Sequence, residues 1–145
     1  MITISSPKSK QDFETYYKLR WKILRQPWNQ PPGSEKDILD NSSRHFMATL
    51  NGNIVAVGRI HLENSIAVIR YMGVDTPYQG QGIGTKLLTC IENTAVDLNA
   101  TAIKLKARQQ YIKFYLQNGY IDCGAGHTLY HTIHHRKMIK TLSSN

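Results

Sequence analysis

The sequence predicts an α/β fold of the α+β kind, built on a mixed sheet, and three observations predict it. Two apolar runs, 45–50 and 53–62, flank Asn51-Gly52, a pair that accepts the positive φ angles a tight hairpin turn demands. A third run, 66–74, leads through a proline-containing turn and three alternating glycines, Gly80, Gly82 and Gly84, into an amphipathic helix carrying Leu87, Leu88, Ile91, Ala95 and Leu98 at helical spacing. That helix crosses over to a fourth run, 102–107, which must lie parallel to 66–74 because a crossover of this kind joins parallel strands.

Taken in order, Ile2-Thr3-Ile4 alternates as a short first strand. Ser6-Pro7 reads as a helix start, since proline is tolerated where the amide would be unpaired, and Phe13, Tyr16, Tyr17, Ile23 and Leu24 give an apolar stripe as far as Arg25. Three prolines make 26–34 a loop, in which Trp28 either packs on the surface or forms a wall of the substrate pocket. The hairpin follows, Glu63-Asn64-Ser65 turns the chain, and 66–74 makes a third consecutive antiparallel strand. After the helix that begins near Gly84 and the strand 102–107, residues 108–118 form a further helix, ended by Gly119 in the left-handed cap position. Segments 120–123 and 129–133 are the last two strands, and 122–126 is polar and glycine-rich enough to be mobile. The expected order is β-α-β-β-β-α-β-α-β-β, without repeats.

The 145 residues suit one domain, 1–145, large enough to bury a core without disulfides. No apolar run approaches a membrane span and the first residues lack the regions of a signal peptide, so a cytoplasmic protein with no membrane partner is expected. Cys90 and Cys123 form neither a disulfide framework nor a metal spacing. His127, His131, His134 and His135 have no cysteine or paired carboxylate beside them, so no metal is expected. The formal charge of +8 attracts anions, a polyphosphate coenzyme or nucleic acid alike. The basic residues are scattered along the chain and no helix gathers them beside aromatics, so nucleic acid is not the expected partner.

The glycines stand at a helix N-terminus, where amides without internal partners make an anion cradle and a phosphate-bearing ligand is the natural guest. Gly84-Thr85-Lys86 has the wrong order for a Walker loop, and Thr85 stands where a dinucleotide fingerprint needs its third glycine. Gln79-x-x-Gly82-x-Gly84 instead resembles the acyl-coenzyme A pyrophosphate loop of the GCN5-related N-acetyltransferase (GNAT) family, and the element order matches that family over essentially the whole chain. The segments 24–27, 69–74, 78–84, Phe114-Tyr115 with Asn118-Gly119-Tyr120, and 133–138 look like the ElaA-like branch, with His134 in place of a proline in its closing pattern.

The resemblance implies an N-acetyltransferase that passes the acetyl group of acetyl-CoA directly to a primary amine of a small molecule or peptide, with two central parallel strands splayed around the coenzyme. It assigns the diphosphate to the amides of Gln81, Gly82, Gly84 and Thr85, with Gln79, Gly80 and Ile83 nearby, and the pantetheine arm to Met72 and Val74. Gly73 would relieve a bulge there, or simply allow close packing, and the Val74 amide would bind the thioester carbonyl. Tyr115 matches the family's general acid, and also sits where a core or pantetheine contact would. Arg108 stands where many members carry asparagine and would reach a coenzyme phosphate. An amine with pKa near 10 must lose a proton before attack, yet the strand before the glycines offers only Arg70. Base candidates are therefore His135, which matches the closing pattern, Glu63, His61 and His127. Arg70 would hold an acidic group on the substrate, or pair with Asp75 or Glu35. The alternative to an enzyme is a coenzyme-binding regulatory module that keeps the fold with little catalysis. A homodimer is left open.

Overall fold

The computed structural model describes residues 1–142. Its elements follow the expected order: β1 (Ile2–Ser5), α1 (Lys10–Leu24), β2 (Arg44–Leu50), β3 (Asn53–Glu63), β4 (Ile66–Val74), α2 (Ile83–Asp97), β5 (Ala102–Arg108), α3 (Ile112–Gln117), β6 (Ile121–Leu129) and β7 (Ile133–Thr141). They form a seven-stranded sheet in the order β1-β2-β3-β4-β5-β7-β6. Among the described residues only β4 and β5 pair in parallel. The hairpin turns as its sequence demands, with Asn51 and Gly52 at φ of 52° and 81°.

Three boundaries differ from the sequence reading. α1 starts at Lys10 and not at Pro7, because Ser9 and Asp12 complete a capping box: Ser9 Oγ accepts from the Asp12 amide at 3.0 Å and Asp12 accepts from the Ser9 amide at 3.2 Å. The helix expected over 108–118 is a 3₁₀ turn, Gln109–Tyr111, followed by α3 alone. The last two strands are long, and 129–133 contains their turn, where Tyr130 and His131 take φ of 52° and 62° without glycine. Residues 122–126, expected as a mobile segment, lie within β6 and carry two register shifts against β7.

The two sheet faces are covered differently. α2 buries Ile83, Leu87, Leu88, Ile91 and Ala95 against one face, the isoleucines and leucines contributing about 2 kcal/mol each and Ala95 less. α1 covers the other face only as far as β4, through Tyr16 and Leu19 on Val57 of β3 and Ile23 over Gly73 of β4. Beneath α1 the core turns polar. Arg20 and Arg59 are fully buried, with Asp40 2.8 Å and 3.1 Å from them and Asp37 2.6 Å from Arg59.

The site is positioned by a parting of strands. β4 and β5 pair from Ile66↔Ala102 to Ile69↔Leu105 and no further, while β5 stays with β7 to its end at Arg108. β4 is bent by an extra residue: Val57 pairs with Gly73 but Arg59 with Arg70, so Tyr71 and Met72 together oppose Gly58, and Tyr71 sits at φ 53°. The bulge is thus at Tyr71–Met72 and not at Gly73. Gly73 serves packing, since a Cβ there would stand 2.8 Å from Ile23 Cγ2 on α1.

Candidate active site

An open cleft of about 700 Å³ runs along the faces of β4, β5 and β7, from Glu63 and Lys104 at one end past Ile69 and Leu105 to Met72 and Tyr111 at the other. Met72, Tyr115 and His135 line it, as do Arg70, His127 and Glu63. At the carboxyl end of β4 the Asp75 amide donates to the Val55 carbonyl at 2.8 Å, so strand alternation turns the Val74 amide away from β3. The Val74 carbonyl accepts from Gln79 Nε2 at 3.1 Å, and Gln79 also donates to Tyr111 Oη at 3.3 Å.

The glycine loop follows. Gly80 and Gly82 have φ of 79° and 80°, a region that other residues rarely adopt, and α2 begins after Gly82 with no side-chain cap. The amides of Ile83, Gly84 and Thr85 therefore have no side-chain cap at the positive end of a 15-residue helix, next to the exposed Gln81 and Gly82. Gly84 packs under α3, where an added Cβ would lie 3.3 Å from Phe114 Cζ. These features fit a diphosphate at the mouth and a narrow arm running inward.

Tyr115 is buried, and its hydroxyl reaches Met72 Sδ at 3.6 Å. Burial, then the neighbouring Tyr111, pushes its pKa far above 10, so the phenol keeps its proton at neutral pH. His135 Nδ1 lies 3.1 Å from the His127 carbonyl. A carbonyl only accepts, so Nδ1 donates and Nε2 of the neutral ring is free to take a proton. Burial first, and the stacked His127 ring second, hold the His135 pKa below 6.5. His135 pairs with Arg108, three residues past Leu105, and lines the same cavity as Met72.

Other expected site residues lie differently. Glu63 pairs with Ile66, eight residues before Val74 and thus roughly 26 Å along the strand. It pairs with Lys104 and His61, both at 3.4 Å, and against desolvation, the largest single influence, Lys104 and His61 together hold its pKa below the usual carboxylate value. Neither the place nor the charge suits a base. His61 pairs with Val68 at the same end. Arg108 is drawn to the α1 side, stacking on Trp28 at 4.6 Å and donating to the Leu24 carbonyl at 3.2 Å. Trp28 lines a separate, smaller cleft with Gln109 and Thr132, and the main cavity is walled instead by Leu24 and Arg25. Arg70 does find a carboxylate, but that of Asp37 at 3.3 Å, with neither Asp75 nor Glu35 involved. Asp75 pairs with Lys22.

Sequence reasoning passed over Lys104, Lys106 and Lys137, which line the cavity from β5 and β7. The alternation Lys104-Leu105-Lys106 was the available signal, since it puts both ammonium groups on the face opposite the buried Leu105. Among the described residues no group of three or more His, Cys, Asp or Glu side chains could hold a metal.

The Acetyltransferase (GNAT) family model matches residues 13–120. The uncharacterized N-acetyltransferase YjcF of Bacillus subtilis is 24% identical over 133 residues, 92% of this chain and 95% of its own. The crystal structure of ElaA from Escherichia coli superposes with a TM-score of 0.82 at 21% identity, covering 97% of this chain and 99% of ElaA. That of the PaiA N-acetyltransferase from Thermoplasma acidophilum in complex with coenzyme A gives 0.73 at 14% identity, covering 98% and 99%.

Proposed function

The chain belongs to the GNAT acetyltransferase family and is an acyltransferase, and from that premise we propose that it moves the acetyl group of acetyl-CoA directly to a primary amine of a small molecule or peptide. One observation carries the reading: β4, whose pairing with β5 stops at Ile69, leads through the glycine loop into a helix with no side-chain cap, while the cavity beside the parted strands holds a buried phenol, Tyr115, whose hydroxyl has only the thioether of Met72 to bond.

Each step then falls to a residue of this chain. The amides of residues 81–85 hold the diphosphate, with Gly80 and Gly82 giving the backbone its curvature. The Val74 amide, turned away from β3, donates to the thioester carbonyl oxygen and to the oxyanion that forms as the amine attacks. His135 Nε2 takes the amine proton, directly or through one water. Tyr115 gives its proton to the departing thiolate and recovers one from solvent. Gln79 stays with the Val74 carbonyl and fixes the end of β4. Arg108 and Trp28 hold the end of α1 against β5, a positioning role.

Titration calorimetry of coenzyme A into the full chain, followed by thiol release from acetyl-CoA across a panel of amines, tests this. Binding together with amine-dependent release is expected. Binding without release for any amine would make the protein a coenzyme-binding module, and no binding at all would remove the reading.

A further inference from the structure

Basic residues scattered along the sequence converge on one face of the sheet. The face opposite α2 is covered by α1 only as far as β4, and on the uncovered part Arg25, Arg70, Lys104, Lys106, Arg108 and Lys137 line the cavity against one carboxylate, Glu63. Three of these cations form a row across adjacent strands. Lys106 pairs with Lys137, and Arg70 follows Ile69 as Lys106 follows Leu105. The row lies immediately past the last pair of β4 and β5 and about two residues, roughly 7 Å, short of Met72 along β4.

The charges of the row are not consumed. Lys106 and Lys137 make no ion pair among the described residues, and both are exposed. Arg70 touches Asp37, but Asp37 is already 2.6 Å from the fully buried Arg59, and Asp40 is shared by Arg20 and Arg59. Two carboxylates thus face three guanidiniums, and Arg70 is the surplus one at the surface. Lys104, by contrast, is matched by Glu63. His127 feels the row as well: after burial, Lys106 and Arg70 are what lower its pKa. A cationic acceptor entering this chamber would meet like charge at every strand.

We infer that the acceptor is a small amine that also carries a phosphate, phosphonate or carboxylate, and that Arg70, Lys106 and Lys137 seat this anion while the amine points toward Met72 and His135. The inference rests on the acetyl-transfer reading above and names the acceptor class for that site. Arg70 offers the planar fork that meets two oxygens at once, and the two lysines complete the seat as point charges.

Acetyl transfer to O-phosphoethanolamine and 4-aminobutyl phosphate, set beside ethanolamine and 1,4-diaminobutane, tests the seat. The phosphorylated amines should show kcat/KM at least tenfold higher than their partners. In the Lys106→Gln/Lys137→Gln variant that ratio should fall about tenfold or more, with the loss in KM. Both lysines are exposed and unpaired, so an unchanged thermal midpoint confirms that this variant folds. Equal efficiencies, a preference for the diamine, or a ratio unmoved by the double substitution overturns the proposal. Calorimetry of O-phosphoethanolamine on coenzyme-saturated protein reads the seat without turnover, and an absence of heat there overturns it too. Phosphoamine binding by protein that binds no coenzyme A would keep the seat and remove the acetyl-transfer reading alone. Steeply salt-dependent RNA binding without phosphoamine binding would replace the proposal with a nucleic-acid surface.

Discussion

Tyr115 has an unusual balance of burial and bonding. A buried hydroxyl ordinarily finds a good acceptor, whereas this one has a thioether, a weak acceptor, at 3.6 Å. Tyr115→Phe therefore forfeits little folding free energy, under about 1 kcal/mol, while removing the proton a leaving thiolate would take. A fall in kcat of about 10²-fold with unchanged coenzyme affinity is expected, and a kcat within twofold of the parent would reduce Tyr115 to packing. His135 is argued from the opposite protonation state. Its lowered pKa keeps the ring neutral at pH 7, so kcat at saturating amine should fall with pH only below about 6.5. In His135→Gln the rate should drop and that limb vanish. An identical limb in the variant would take the imidazole out of the chemistry.

At the scale of elements, the segment between α1 and β2 is held by charge. Its 3₁₀ turn, Ile38–Ser42, delivers Asp40 to Arg20 of α1 and Arg59 of β3, and both guanidiniums are fully buried. Asp40→Asn keeps the shape and removes the countercharge, which for a buried pair costs about 3 to 5 kcal/mol, a large share of an ordinary domain's stability. Urea unfolding should register that loss, and a midpoint moved by less than a tenth would show that Asp37 suffices. These elements also show what a sequence reveals. The Asn51-Gly52 turn, the Gly119 cap and the glycine loop were legible because their signals are chemical and local. The last hairpin was not, because Tyr130 and His131 turn it at positive φ with no glycine to announce them. Nothing local in the sequence marks Arg20 for burial, which the arrival of Asp40 from 20 residues away makes tolerable. The site divides in the same way. Met72, Val74, Tyr115 and the loop are named by what the family resemblance implies, whereas the row of Arg70, Lys106 and Lys137 exists only once β4, β5 and β7 are paired.

For the molecule as a whole, the titrating groups define a pH range of stability with two distinct edges. His45, His127 and His135 all have pKa values held below 6.5, chiefly by burial. The unfolded chain therefore binds protons before the folded one does, and stability present above about pH 6.5 is lost as pH falls through the folded values. Asp37 and Asp40, lowered by their guanidinium partners against a desolvation that raises them, add a second loss below about pH 4. At the alkaline edge Tyr16 is pushed up to about 12, and Tyr71, Tyr115 and Tyr120 also rise, all chiefly by burial. The contribution of these phenols is complete below about pH 10, where free tyrosine ionises, and declines above it. The net charge of +8 grows as histidines protonate, so self-repulsion steepens the acid edge alone. Thermal midpoints measured from pH 4 to 11 should be level between about 7 and 9 and fall on both sides. In 0.5 M salt the acid limb should become shallower and the alkaline limb should stay, because salt screens repulsion between surface charges and leaves the burial of a neutral phenol untouched. A midpoint that climbs as pH drops from 7 to 5 would mean that the three histidines gain partners on protonation, which contradicts the environments assigned to His45, His127 and His135.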